Sequence, residues 1–545
     1  EFPSAHVITG RTLEILRSVG AYDSLARAEG AGRPMETVWV HQVAKPALAV
    51  FGRDEGREVL KAAFAACPPE ARPSNSVQPH RRHAVEGMLN LAQPDGERIL
   101  TQVLAERHPS RAHVRFGHLV ELVTQDGEDS VCVTVSRQGS RSEEPKKYRV
   151  RCRFVVACDG AGSRIRGSLG IPLETTVPQI HPAAYDPEAG IIQHHAWIYF
   201  KCDLSCYFRQ GHPYGPSLWW FHTPSGHGHF TNYNGRDEWV MHMPFFPGEE
   251  RHPNDWSTED CLARIASAVG ERPPAIGIRG KGAWQMTCAV ASTYRAGRVF
   301  LAGDACHRFP PSGGHGQNTG VQDVHNLAWK ISAVLHGWGG EGLLDSYEEE
   351  RWPVGRFNAD QSARNNRQMA EIEAAIGMQP SAPFKNLAAY RGSLERLAHA
   401  PPSEPGALRR AILRSASHWM SEGQGSGFTY EEGALVPDGT ALPQELQFRR
   451  LDDVSDGSII CYVPSTRPGS RLPHAWVQVV RGQELLRPGS RGSALPAFPM
   501  GPGPGPLNPG ADYASLHDCV ALGAVTLLTA GGGEGLPWDA ILRRG

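Results

Sequence analysis

The sequence predicts an α/β fold in several domains, in which short apolar strands run into glycine-rich loops and then helices, with a mainly antiparallel β-sheet inserted between them. Three observations predict it. The apolar runs at 154–157 and 298–304 are each followed by a loop of small and polar residues and then by a helical repeat. Residues 176–290 read differently: HHAWIYF, SLWWFHT, GHFTNY and EWVMHMPF are aromatic and β-branched segments separated by Gly, Pro and Asn turns. Finally, 545 residues at roughly 150 per domain are too many for one core.

Taken in order, Leu13, Ile15, Leu16 and Val19 lie on one face of a short helix, which Gly20 ends as its C′ residue. A second helix is predicted from Gln93 to His108, with Pro94 in the first turn, where it needs no amide partner, and Ile99, Leu100, Val103 and Leu104 as its buried stripe. Residues 114–157 alternate as strands. After residue 316, Val324, Leu327, Ala328, Ile331 and Val334 recur at helical spacing. Proline-rich interruptions follow near 378–384 and at 401–406, and 496–510 reads as a semi-extended loop. The domains expected are 1–175 with added sheet segments near 35–90, then 176–290, 291–420 and 421–545.

Acidic and basic side chains nearly balance, 57 against 55, so no positive field gathers nucleic acid. No run approaches the ~20 apolar residues of a spanning helix, so no membrane partner and a cytoplasmic location are expected. The eleven cysteines are odd in number and contain no CxxC pair, which reads as reduced thiols.

The strongest motif is GDACHRFPPSGGHGQNTGVQDVHNLAWK at 303–330. Gly303 and Asp304 end a strand, where a carboxylate can accept hydrogen bonds from a polyol chain. Pro310, Pro311, Gly314 and Gly316 leave room for a flat ring. Gln317, Asn318 and the following amides open a helix and suit negative charge developing on that ring, as on a reduced flavin. The second motif, CDGAGSRIRG, follows the strand at 154–157: Asp159 and Gly160 make a tight turn, and Ser163 and Arg166 lie three apart, with Arg166 able to neutralise a phosphate or brace the loop.

These two stretches resemble the DGxxSxxR and GDxxHxxPPxGGxGxNxGxxDxxNLxWK motifs of the FAD-dependent aromatic hydroxylases, the class A flavoprotein monooxygenases. RTLEILRSVG, the Gln93 to Glu97 helix start, YEEERWPVG and PSTRPGSRLPHAW are similar to the same family, the last to its phenol and chlorophenol hydroxylase branch. The resemblance implies a Rossmann-like FAD-binding domain, an inserted substrate-binding sheet and a thioredoxin-like C-terminal domain, of which the sequence holds only part. It implies that Arg11, Gln93, Asp159, Gly160, Ser163, Arg166, Gly303 and Asp304 contact or brace FAD, and that Pro310, Pro311 and the loop Gly314, Gly316, Gln317 and Asn318 line its isoalloxazine. The expected reaction uses NAD(P)H and O2 to hydroxylate a phenolic or polycyclic aromatic substrate through a flavin C4a-hydroperoxide. His6, which matches an acidic position of the family, is the candidate catalytic base, with an ordinary pKa near 6.5.

Trp219, Trp220, Phe221 and Phe230 are the candidate substrate-pocket residues, with core filling as the alternative. His222, His227 and His229 lack metal-ligand spacing and read as sheet or pocket lining, so no metal is expected. A homodimer is allowed. The family begins with a GxGxxG βαβ unit, and neither it nor its ribose-binding acid precedes His6; about 40 residues of such a unit are expected to lie before this sequence. Two other readings stay open: the same cofactor used for epoxidation or Baeyer-Villiger insertion, and an FAD-deficient structural or binding remnant.

Overall fold

The computed structural model describes residues 5–28, 31, 33, 35–52, 54–56, 58–59, 88–127, 129–137, 146–208, 214–378, 384–400, 404–441, 456–462, 465, 467–471, 476–478 and 513–515. Two compact units divide the chain, Glu1–His474 and Ala475–Gly545. In the second, Trp476–Gln478 and Tyr513–Ser515 pair antiparallel. The proline-glycine stretch at 496–510 and Cys519 lie outside the described residues.

In the first unit, the strands at both motifs are neighbours: Val299–Leu301 runs parallel to Val155–Ala157, so the turns that follow them open at the same sheet edge. A three-stranded antiparallel meander precedes them, His118–Asp126, Ser130–Arg137 and Lys146–Cys152. Val131, Ala157, Val299 and Leu301 share one core with Leu327 and Val334 of the helix Gly316–Leu335.

The aromatic middle of the sequence forms most of a seven-stranded sheet. Its order is Gly277–Thr287, Ile191–Lys201, Glu238–Phe245, Gly226–Asn232, Leu218–Thr223, Thr37–Val40 and Ala49–Phe51. Thr37–Val40 joins it parallel to Leu218–Thr223, whereas the other pairings are antiparallel. The helix Thr258–Val269 covers one face, burying Cys261, Ile265 and Val269 against Val38, Ile198 and Met241. That helix is fixed at its start by a capping box between Ser257 and Asp260.

The first predicted helix is Gly10–Ser18. Gly20, at φ +73°, closes it: the Gly20 amide donates to Arg17 O and the Ala21 amide to Leu16 O, each at 2.8 Å. The helix Gln93–Arg107 buries Ile99 and half-buries Leu100 and Val103, but Leu104 is exposed, because only one edge of the expected stripe meets the Leu13 and Leu25 core. A larger departure occurs in Gly316–Leu335. Val324 and Ala328 face outward, while Asp323, Asn326 and Lys330 are buried.

Candidate active site

The turn after Val155–Ala157 is held by its own side chains. Ser163 Oγ donates to Asp159 Oδ1 at 2.5 Å and accepts from the Arg166 amide at 3.0 Å, capping the short helix Arg164–Ser168, while the Ile165 amide donates to Asp159 Oδ2. Gly160 makes the turn at φ +81°. The buried Arg166 guanidinium donates to Ala305 O at 2.7 Å and to Ala161 O at 3.4 Å, tying this turn to the one after Val299–Leu301. Arg166 is therefore a brace; its donors are turned to carbonyls.

Gly303 leaves the strand at φ +60°, and its amide donates to Asp323 Oδ2. Asp304 is exposed on one side and otherwise surrounded by protein; this burial raises its pKa, against the pull of His307 and Arg308. Among the described residues its carboxylate accepts no hydrogen bond. Pro310 is buried and Pro311 exposed, and the Gly314 amide donates to Pro311 O, closing the loop. Gly313 and Gly314 have φ of +106° and +70°. A Cβ on Gly316 would meet nothing within 4 Å.

The helix Gly316–Leu335 starts without a side-chain cap. Its first internal bond comes from the Thr319 amide, leaving the amides of Gly316, Gln317 and Asn318 pointing out of the positive end of a twenty-residue helix. Gln317 is exposed. The Asn318 side chain is turned inward: its Oδ1 accepts from the Thr9 amide at 2.9 Å, and its Nδ2 donates to Val7 O at 3.0 Å and Gly314 O at 2.7 Å. Thus Asn318 offers its backbone to a ligand and uses its side chain to lock the loop.

Behind the loop lies a polar ladder that periodicity missed. Asp323 accepts from Arg351 Nε at 2.9 Å and lies 2.7 Å from His307 Nε2, all three side chains being fully buried. Burial opposes its charge, yet His307 and Arg351 together hold its pKa below the ordinary value. Lys330 donates to Glu350 at 2.7 Å, and Asn326 donates to the same oxygen. Cys306, His307 and Asp323 place one possible ligand atom each within 4.8 Å of one another. Cys306 donates to Gly303 O, however, and Arg351 already supplies the positive charge, so the group reads as a structural network.

His6 sits beside this loop, since a Cβ on Gly314 would come 3.4 Å from Val7 Cβ. Asn90 donates through Nδ2 to Ser217 Oγ, so its Oδ1 accepts from His6 Nδ1 at 2.8 Å, leaving His6 Nε2 with a lone pair. Burial lowers the His6 pKa to about 4, against the Asn90 hydrogen bond and with help from Arg33. Gln93 bonds the Ala5 amide and Glu97, and Arg11 pairs with Glu14, which Arg471 also holds.

The four candidate pocket residues do not share a wall. Trp219 pairs across strands with Phe230, which pairs with Met241; together with Phe221 these lie in the core beneath Thr258–Val269. Alternation along the strand turns Trp220 to the opposite face, where it pairs with His229. That face carries His195, His242 and Trp284 as well.

Two adjacent strand–turn elements, one ending in an unengaged aspartate and the other braced by a DGxxSxxR turn, with a capless long helix between them and an aromatic sheet, define an α/β flavin-binding fold. The chain belongs to the FAD binding domain family, whose model matches residues 1–362. A putative polyketide hydroxylase of Streptomyces halstedii is 30% identical over 372 residues, 68% of this chain and 55% of that protein. The phenol 2-monooxygenase of Pseudomonas sp. (strain EST1001) is 26% identical over 487 residues, 87% of this chain and 69% of that protein. The crystal structure of the flavin-dependent monooxygenase PieE in complex with FAD and substrate matches with a TM-score of 0.75 at 28% identity, over 100% of this chain and 80% of that one. The chain thus spans just over half the length of the first of these relatives.

Proposed function

We propose that the protein holds FAD between the Asp159 and Asp304 turns and the start of Gly316–Leu335, and hydroxylates a phenolic or polycyclic aromatic substrate with NAD(P)H and O2. The observation that carries this reading is the set of unengaged groups around one space: the Asp304 carboxylate, and the amides of Gly316, Gln317 and Asn318. A carboxylate acceptor suits ribityl hydroxyls, and three amides at a helix N-terminus suit a ring that becomes anionic on reduction. When bound, FAD supplies the electron transfer and oxygen activation.

The chain's own residues position and shield. Asn318 fixes the loop against Val7 and Thr9. His6 Nε2 accepts a hydrogen bond from the substrate hydroxyl, which orients the ring and raises its electron density. With its pKa near 4, His6 stays neutral at physiological pH and acts as an acceptor more than as a full base. No helix among the described residues is long and apolar enough to cross a membrane; a cytoplasmic location is part of the proposal. The unit from residue 475 is assigned as thioredoxin-like, with a structural or dimer-forming role.

Purified protein supplied with FAD, NADPH, a panel of phenols and isotopically labelled O2 tests the proposal. One labelled oxygen on an aromatic carbon is expected. Oxygen inserted beside a ketone without ring hydroxylation, or failure to retain flavin absorbance, overturns it.

A further inference from the structure

The sheet face opposite Thr258–Val269 carries a row of imidazoles and indoles. Trp220, His229, His242, His195 and Trp284 come from five successive strands, Leu218–Thr223 through Gly277–Thr287. Trp220 stands directly across from His229, and His229 from His242; His242 faces Trp197, two residues from His195, which in turn faces Trp284. The rings contact one another: His229 and His242 stack with centroids 4.9 Å apart, as do His195 and Trp284. Adjacent strands are about 4.8 Å apart, so the row spans about 19 Å.

These rings are not satisfied like core side chains. Neither nitrogen of His195 completes a hydrogen bond of good geometry, although the Met243 backbone interacts with the ring, and Trp220 Nε1 is also without an acceptor. His242 Nδ1 accepts from Trp284 Nε1 at 3.3 Å, so its Nε2 carries the proton and is a donor. No hydrogen bond among the described residues engages His229. Buried polar atoms left this way cost free energy unless something bonds them. The electrostatic neighbours of His195, His229 and His242 are other imidazoles, with neither carboxylate nor cation among them. Burial lowers the His195 pKa to about 3 and that of His242 to about 4 and takes His229 well below its usual value, so all three are neutral near pH 7. Arg33, the cation beside His6, donates through Nη1 and Nη2 to the carbonyls of Tyr233 and Asn232 and keeps its charge, but it is not among the electrostatic neighbours of these three rings.

We propose that His195, His229 and His242 form a hydrogen-bonding wall that selects fused-ring aromatic ligands bearing several hydroxyl or carbonyl oxygens, and rejects carboxylated ones. This rests on the hydroxylase reading in placing the aromatic ligand between the sheet and the loop at Gly314. The length of the row matches several fused rings, because a single ring meets only two strands. Neutral imidazoles donate to carbonyls and accept from hydroxyls, but supply no countercharge for a carboxylate whose desolvation must be offset.

Titrating the full chain, with FAD present, by quenching of its tryptophan fluorescence tests this with three probes: dihydroxyanthraquinone, its carboxylate derivative and phenol. Dihydroxyanthraquinone is expected to bind at least about tenfold more tightly than either of the others. His229→Phe and His242→Phe are each expected to weaken its binding about five- to tenfold while leaving unsubstituted anthraquinone less affected, as the loss of one hydrogen bond predicts. Equal affinity for the carboxylate, or for phenol, overturns the proposal through the unaltered protein alone, whether or not the variants fold. Preferential binding without any oxygenated product leaves the wall standing and overturns the hydroxylase reading. Turnover without this preference does the reverse.

Discussion

Gly320 of the long helix lies directly on Gly303 at the end of the strand: a Cβ added to Gly320 would stand 3.1 Å from Gly303 Cα. The helix start can therefore approach Asp304 this closely only because Gly320 has no side chain. Alanine is intrinsically better in a helix by about 1 kcal/mol, but here it would press on backbone, at an overpacking cost of roughly 1–3 kcal/mol. Gly320→Ala is expected to lower the thermal midpoint and to weaken FAD binding. An unchanged flavin affinity in a fluorescence titration would show that the close approach is not needed.

Asp304 separates binding from stability. Its carboxyl has a raised pKa, so ionisation is disfavoured in the fold, and the stability lost to that charge grows as pH rises through the unfolded pKa of about 3.9. Asp304→Ala should leave the flavin-free protein at least as stable at pH 7. It should weaken FAD retention by roughly 1.5–3 kcal/mol, the value of a charge-assisted hydrogen bond. Calorimetry of the flavin-free form and an FAD titration measure the two effects separately.

Asp323→Ala is expected to be among the most damaging single changes. It would strand the fully buried Arg351, at about 3–5 kcal/mol. Because the Asp323 pKa is depressed in the fold, its stabilising contribution is present above the unfolded pKa of about 3.9 and is lost as pH falls through the lower folded value. Urea denaturation of the two proteins at pH 7 should differ accordingly, and the difference should shrink at strongly acidic pH.

The lowered imidazole pKa values give a second pH window. His6, His242 and His315 are each lowered to about 4, so between that value and 6.5 the unfolded chain binds more protons than the folded one. Stability should fall as pH drops through this window, each group contributing up to about 1.4 kcal/mol per pH unit. A flat thermal midpoint between pH 7 and 5 would contradict the burial of neutral rings.

For His6, the depressed pKa also sets the activity profile. His6→Ala should slow hydroxylation by about tenfold or more with little curvature from His6 itself above pH 5, so the remaining pH dependence belongs to the substrate phenol. Asn90→Ala, which frees the imidazole tautomer, should reproduce part of the loss; Asn90→Asp should shift the profile upward by stabilising the protonated ring. An inflection near 6.5 in the unaltered protein would restore the simple base.

The Asp159 turn and the first helix were legible because each is local: Ser163 caps within four residues of Asp159, and Gly20 closes the helix that contains Arg17. The FAD family was legible for the same reason. The inward face of Gly316–Leu335 was not, because Asp323 and Lys330 are made tolerable inside by Arg351 and Glu350, 28 and 20 residues further on. Apolar periodicity has no term for such partners, and it assigned Val324 and Ala328 to the core instead. In LWWFHT both sheet faces carry bulky side chains, Trp219 buried and Trp220 half-buried, so hydrophobicity alone did not separate them; strict alternation did contain that signal.

Asn318 has a consequence for how the molecule is made. Its amide joins Gly314, four residues away, to Val7 and Thr9, 309 to 311 residues away in sequence. At about 5–20 residues per second, a ribosome needs roughly 15–60 s to travel between them. Throughout that interval the early strand is synthesised without its clasp, so the flavin loop cannot lock until residue 318 has been made. Folding yield in cells should then depend on whatever shelters the Val7 and Leu13 surface during synthesis.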